Sequence, residues 1–81
     1  MNKMSMEEAI IQVFKNKPDN EFSNKEIYSG IENYYELTDF QKQPDPLHGQ
    51  QRYKHEIRSI LVRLEKQGII KQLERNKRKL A

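Results

Sequence analysis

Tyr53, Ile57, Ile60, Leu61 and Leu64 recur at the spacing of one helical face, and this stripe constrains the chain more than any other feature. Residues three and four apart in a helix lie on one side. A helix over about 51–67 therefore has an apolar face that must be buried against other elements. Gly68 ends it, because glycine accepts at no steric cost the left-handed backbone that closes a helix, and Ile69 is expected to pack back after it. Beyond it, two short segments, Ile69-Ile70-Lys71-Gln72-Leu73-Glu74 and Arg78-Lys79-Leu80-Ala81, flank Arg75-Asn76-Lys77. Asparagine tolerates positive φ, so residues 69–81 read as a β-hairpin turning at Asn76. A helix continued past Gly68 is the alternative, since Ile69, Ile70 and Leu73 can share a helical face. The glycine and the β-branched pair favour the hairpin.

Partners for the stripe lie upstream. Met6, Ile10, Val13 and Phe14 set a first helix of about 6–16, opened by Ser5 with Glu8 in capping-box spacing and limited by Pro18. Glu21-Phe22 is a short extended candidate. Ser23 with Glu26 repeats the cap, and Ile27, Ile31 and Tyr34 continue one face, giving a second helix of about 24–35. Gly30 inside it costs about 1 kcal/mol relative to alanine, which implies a close helix contact. Of Tyr34 and Tyr35, one is expected in the core and the other outside. Leu37 and Phe40 are each expected to reach the core from one short helical turn. Residues 43–49, with two prolines and a glycine, read as a loop.

These elements make one domain spanning residues 1–81, since a domain takes about 100–200 residues. A chain this short buries only about 60% of the surface its unfolded form exposes, so the core is thin. There is no cysteine, which excludes disulfides and thiolate metal sites and fits a reducing compartment. No apolar run approaches the roughly 20 residues of a membrane span, and the first residues lack a signal-peptide pattern. The expected location is cytoplasmic, nucleoid-associated, with no membrane partner.

Charge is distributed unevenly. Residues 1–50 hold five lysines and nine carboxylates, net −4, whereas residues 51–81 hold ten basic groups and three acidic ones, net +7. Every arginine (Arg52, Arg58, Arg63, Arg75, Arg78) lies in the second segment. Such a split points to a polyanionic partner, although a lysine-rich terminus can also be simply hydrated.

The element order is helix, short strand, helix, loop, helix, hairpin. The expected fold class is mainly α with a small β-hairpin, a winged helix-turn-helix of three helices plus wing, whose last helix enters a DNA major groove. At 100° per residue, Ile57, Ile60, Leu61 and Leu64 face inward, and Arg52, His55, Ser59 and Lys66 face away. Gln50, Gln51, Arg52, His55 and Ser59 are thus the candidates for reading base edges; arginine pairs with guanine and glutamine with adenine. Lys54, Arg58, Arg63, Arg75, Lys77 and Arg78 are the candidates for phosphate contacts. Lys79 adds further charge to the wing.

The stretch His48-Gly49-Gln50-Gln51-Arg52-Tyr53, followed by Glu56-Ile57-Arg58 and by Leu61-Val62-Arg63-Leu64-Glu65-Lys66-Gln67-Gly68-Ile69-Ile70, resembles the N-terminal winged helix of Mrr-type bacterial restriction nucleases. In that family a Gly-Gln-x-Arg-aromatic segment opens the recognition helix, and a Leu-x-x-x-Gly-Leu-Ile hinge leads into a short wing. The resemblance spans about 5–81 and is concentrated between His48 and Ile70. It implies that Gln50, Arg52, His55 and Arg58 meet DNA, within a bacterial or phage restriction-modification system or a small regulator. Two departures stand in the wing: Asn76 replaces the usual glycine, and Arg78-Lys79-Leu80 lacks the usual aromatic. No Pro-Asp is followed by a suitably spaced Glu-x-Lys, so no site for metal-dependent cleavage is expected; double-stranded DNA is the expected partner, with a nuclease domain or second subunit beside it.

Other chemistry is poorly served. His48 and His55 are seven apart, not the spacing that sets two ligands on one helical face, so no metal or other cofactor is expected. Ser5 and Ser23 read as caps rather than nucleophiles, and Gly30, Gly49 and Gly68 are too scattered to cradle a phosphate. Neither an enzyme nor a small-molecule substrate is expected. The rival reading is a protein-interaction winged helix that docks an acidic partner or forms a homodimer, anchored by the outward Val62. Double-stranded RNA or non-B DNA is a third.

Overall fold

The computed structural model describes residues 4–44, 46, 49, 51–74 and 77–81. In chain order they form α1 (Met6–Asn16), β1 (Phe22–Ser23), α2 (Asn24–Ile31), α3 (Asp39–Lys42), α4 (Arg52–Lys66), β2 (Ile70–Gln72) and β3 (Lys77–Leu80). The domain is mainly helical, with one small antiparallel sheet in the order β1-β3-β2. No helix among the described residues is long and apolar enough to cross a membrane.

Capping sets the helix starts. The Ser5 hydroxyl accepts from the Glu8 N–H at 3.1 Å, and it donates to the Glu8 carboxylate at 3.2 Å. At α2 the box is reciprocal: Glu26 N–H donates to Ser23 Oγ, and Ser23 N–H donates to Glu26 Oε1 at 3.0 Å. A third box, Thr38 with Gln41, opens α3. At the other end of α4, Gly68 adopts φ +78°. Its N–H donates to Glu65 O and that of Ile69 to Leu64 O, a Schellman closure that satisfies the last carbonyls.

The core gathers Ile10 and Phe14 of α1, Ile27 and Ile31 of α2, Ile57, Leu61 and Leu64 of α4, and Ile70 of β2. Phe22 meets Phe14 edge-on, with ring centres 5.3 Å apart, and so brings β1 onto α1. After Gly68 it is Ile70, not Ile69, that enters the core; Ile69 is exposed. α2 stops four residues earlier than its apolar face suggests, because the chain turns there to bury Leu37. Both Tyr34 and Tyr35 are then half-buried rather than one in and one out. Phe40 does not reach the core and is 61% exposed. Its helix is a single turn held by its own caps and by a Gln41 hydrogen bond to the Tyr35 hydroxyl.

β3 is central, pairing Arg78 with Phe22 on one side and with Gln72 on the other. The β2–β3 pairing shows a hairpin rather than a continued helix; the turn expected at Asn76 lies outside the described residues.

Two outcomes follow from these contacts. A Cβ placed on Gly30 would stand 3.1 Å from both γ-carbons of Val13 on α1. Valine has one strongly preferred helical rotamer, so rotation offers no escape. Gly30→Ala is expected to cost about 1–2 kcal/mol net of its helix-propensity gain. In a Val13→Ala background it is expected to stabilise instead, as a urea-denaturation double-mutant cycle would reveal. Second, the Ser23 backbone N–H, then the Ser23 hydroxyl, holds the Glu26 carboxyl below its ordinary range. A depressed folded-state pKa stabilises the fold above the carboxylate range and ceases to do so as pH falls through the folded value. The stability advantage of wild type over Glu26→Gln should therefore narrow on acidification, measured by urea midpoints from pH 7 downward.

Candidate nucleic-acid interface

α4 carries its outward face between two flanks, and each flank meets different elements. One flank holds Lys54, Arg58 and Glu65 and looks toward the start of α2 and toward β3. The other holds Arg52 and Arg63 and looks toward α3 and α1. Between them His55, Ser59 and Val62 are exposed, with Val62 at 45%. His55, Arg58, Ser59, Val62 and Arg78 line one shallow hollow there.

The start of α4 is laced to α3. Gln51 occupies the N-cap without capping the helix, and its side-chain amide donates instead to Lys42 O at 3.2 Å. The Arg52 N–H donates to Gln43 O at 2.9 Å. The Arg52 guanidinium carbon lies 4.5 Å from the centre of the Phe40 ring, and Nε is buried without a hydrogen-bond partner. Gln51 and Arg52 were expected to project outward as base readers. The crossing from α3 into α4 engages both instead; His55 and Ser59 are exposed on the outward face. Gln50 lies outside the described residues, as does Arg75.

On the α2 flank, Lys54 is half-buried with its ammonium 5.5 Å from the Tyr28 ring centre and 5.9 Å from that of Tyr53. The two rings meet edge-on at 6.2 Å. Burial pushes the Tyr28 hydroxyl above its ordinary pKa, while the charges of Arg58 and Arg78 pull the other way. Tyr53 is raised by burial, then by Glu32 and Tyr28. Lys25, Tyr28, Gly49, Gln51, Lys54 and Arg58 border an open groove between α2 and α4.

The phosphate candidates separate. Arg58 is exposed on this side, and Lys77 is exposed on β3 opposite Ser23. Arg63 sits on the far flank, 3.2 Å from Glu7 of α1, in a pair exposed enough to be worth about 1 kcal/mol or less. Arg78 corrects the expectation outright. It is 8% exposed, its Nε is bonded to the Glu65 carboxylate, and its Nη1 is bonded to Asn24 Oδ1. The cause is strand alternation: Arg78 and Leu80 share the inward face of β3, and Lys77 and Lys79 take the other. Lys25 and Tyr28 are additions that the sequence reading passed over. Both lie off the Ile27–Ile31 face, and their relevance depends on how α2 crosses α4.

No family model, curated protein or solved structure matches the chain.

Removing one partner of a buried ion pair strands the other charge. Arg78→Ala is expected to destabilise the fold by about 3 kcal/mol in urea denaturation, and Arg78→Met combined with Glu65→Leu to recover most of that loss. A solvated arginine would show neither effect.

Proposed function

We propose that this chain is a DNA-binding winged-helix module, with α4 in the major groove and the β2–β3 hairpin as a wing beside the backbone. The observation that carries the reading is the sidedness of α4. Its exposed face holds His55 and Ser59, and cations gather along one edge of it: Lys54 and Arg58 from α4 and Lys25 from α2, while Lys77 is exposed on β3. Among the described residues, Lys25, Arg58 and Lys77 form no ion pair, whereas Arg63 and Arg78 are matched to Glu7 and Glu65. The element order and the sheet order β1-β3-β2 agree with a helix-turn-helix followed by a wing. The resemblance of residues 48–70 to Mrr-type recognition domains supports the same reading, as part of a restriction-type system or as a small regulator. In this reading the exposed His55 and Ser59 face the base edges, with Arg58 at the boundary between groove and backbone.

The physical signature is counterion release. Neutralising Z phosphates gives a slope of about −0.9Z in log K against log salt. With Lys25, Lys54, Arg58 and Lys77 engaged, the expected slope is about −3 to −4 for duplex DNA, measured by fluorescence anisotropy. Lys77→Ala should weaken all sequences alike and flatten the slope by about 1, whereas His55→Ala should alter preference within a selected duplex pool. Absence of salt-dependent duplex binding overturns the proposal. The exposed Val62 favours one rival, a protein interface, which a dimer mass in solution together with salt-independent behaviour would support. Stronger competition by A-form than by B-form duplexes would redirect the proposal to RNA.

A further inference from the structure

The groove between α2 and the start of α4 gathers positive charge, and Glu32, the acid whose charge acts on Tyr53, does not line it. Lys25, Lys54 and Arg58 line it, and no carboxylate stands among its described lining residues. Like charges brought together in a partly desolvated cleft repel, and their field attracts anions. Glu26, the acidic residue next along α2, is engaged with Ser23 at the cap. The remaining α2 lining groups are committed too: Ser23 Oγ accepts from Glu26 N–H, and Asn24 Oδ1 accepts from Arg78.

Two features make this groove more than a basic patch. Lys54 stands over the rings of Tyr28 and Tyr53, which meet edge-on, rather than against an acid. Tyr28 also lines the groove, and its phenol, neutral at pH 7 as tyrosines ordinarily are, is available as a donor. A phosphate group, with several oxygens facing different ways, suits cations on two helices and one neutral donor between them.

We infer that this groove is a phosphate site, in which Lys25, Lys54 and Arg58 supply the charge and the Tyr28 hydroxyl donates the orienting hydrogen bond. The inference deepens the DNA-binding reading and rests on it for the source of the phosphate, a backbone phosphodiester. Arg58 also lines the hollow shared with His55 and Ser59, so a duplex read by those side chains runs its backbone along the groove.

Charge and hydrogen bonding separate in a salt titration. Tyr28→Phe keeps the ring that supports Lys54 and removes only a neutral donor. It is expected to weaken duplex binding about tenfold without altering the salt slope. Lys25→Gln is expected to flatten the slope by about 0.9. Circular dichroism and urea midpoints verify that both variants fold as wild type does. In a second arm, inorganic phosphate is titrated against chloride at matched ionic strength, with amide chemical shifts followed by NMR. Shifts confined to residues 25, 28, 49, 54 and 58, lost in Tyr28→Phe, support the site.

Duplex binding unaffected by either substitution overturns the groove and leaves the DNA-binding reading standing. Phosphate binding at the groove without any duplex binding does the reverse: it keeps the site, assigns it to a free phosphate or phosphorylated small molecule, and overturns the DNA reading. Absence of both duplex binding and phosphate-induced shifts overturns both.

Discussion

Arg78 is where the sheet, the last helix and the second helix meet. Its guanidinium reaches Glu65 on α4 and Asn24 at the first turn of α2, while its backbone occupies the centre of the sheet between Phe22 and Gln72. A thin core cannot fix the orientation of a two-residue and a three-residue strand by apolar contact alone. The buried, doubly bonded arginine supplies the missing directionality, since its planar fork accepts few geometries. Every feature of the α2 flank of α4, including the groove, inherits its placement from that junction. The junction is also why the most basic segment offers less free charge than its composition implies.

α4 divides its cations by flank. Those facing α1 and α3 are matched, Arg63 to Glu7 and Arg52 to the Phe40 ring. On the α2 side Arg58 forms no ion pair among the described residues, and Lys54 rests over the Tyr28 and Tyr53 rings instead. Surface ion pairs contribute little to stability, so the division matters more for where the field points than for the fold. Of the nine carboxylates of residues 1–50, Glu7 meets the α1 side of the helix through Arg63.

Much of the framework was readable from local signals. The stripe of Ile57, Ile60, Leu61 and Leu64, the caps at Ser5 and Ser23 and the stop at Gly68 are properties of neighbouring residues, and they place α1, α4 and the start of α2 closely. The Thr38–Gln41 box is an equally local signal, and it marks the start of α3. The site was less legible. Helical phase alone puts Arg52 outward, but it says nothing of a carbonyl and a phenyl ring arriving from α3. Arg78 had a readable signal in its alternation with Leu80, yet only a carboxylate and an amide from distant segments make burying a guanidinium tolerable. Lys25 and Tyr28 had no local signal, because their role arises from the crossing of α2 with α4.

The sequence by itself determined the helices, the hairpin and a strong excess of positive charge after residue 50, because periodicity, capping and net charge act over a few residues at a time. The tertiary structure decided which of those charges remain available. Burial and pairing depend on groups tens of residues apart, as with Arg78 and Asn24 or Arg63 and Glu7. That selection turns a basic segment into a sided surface, with His55 and Ser59 at its centre and the α2–α4 groove along its edge.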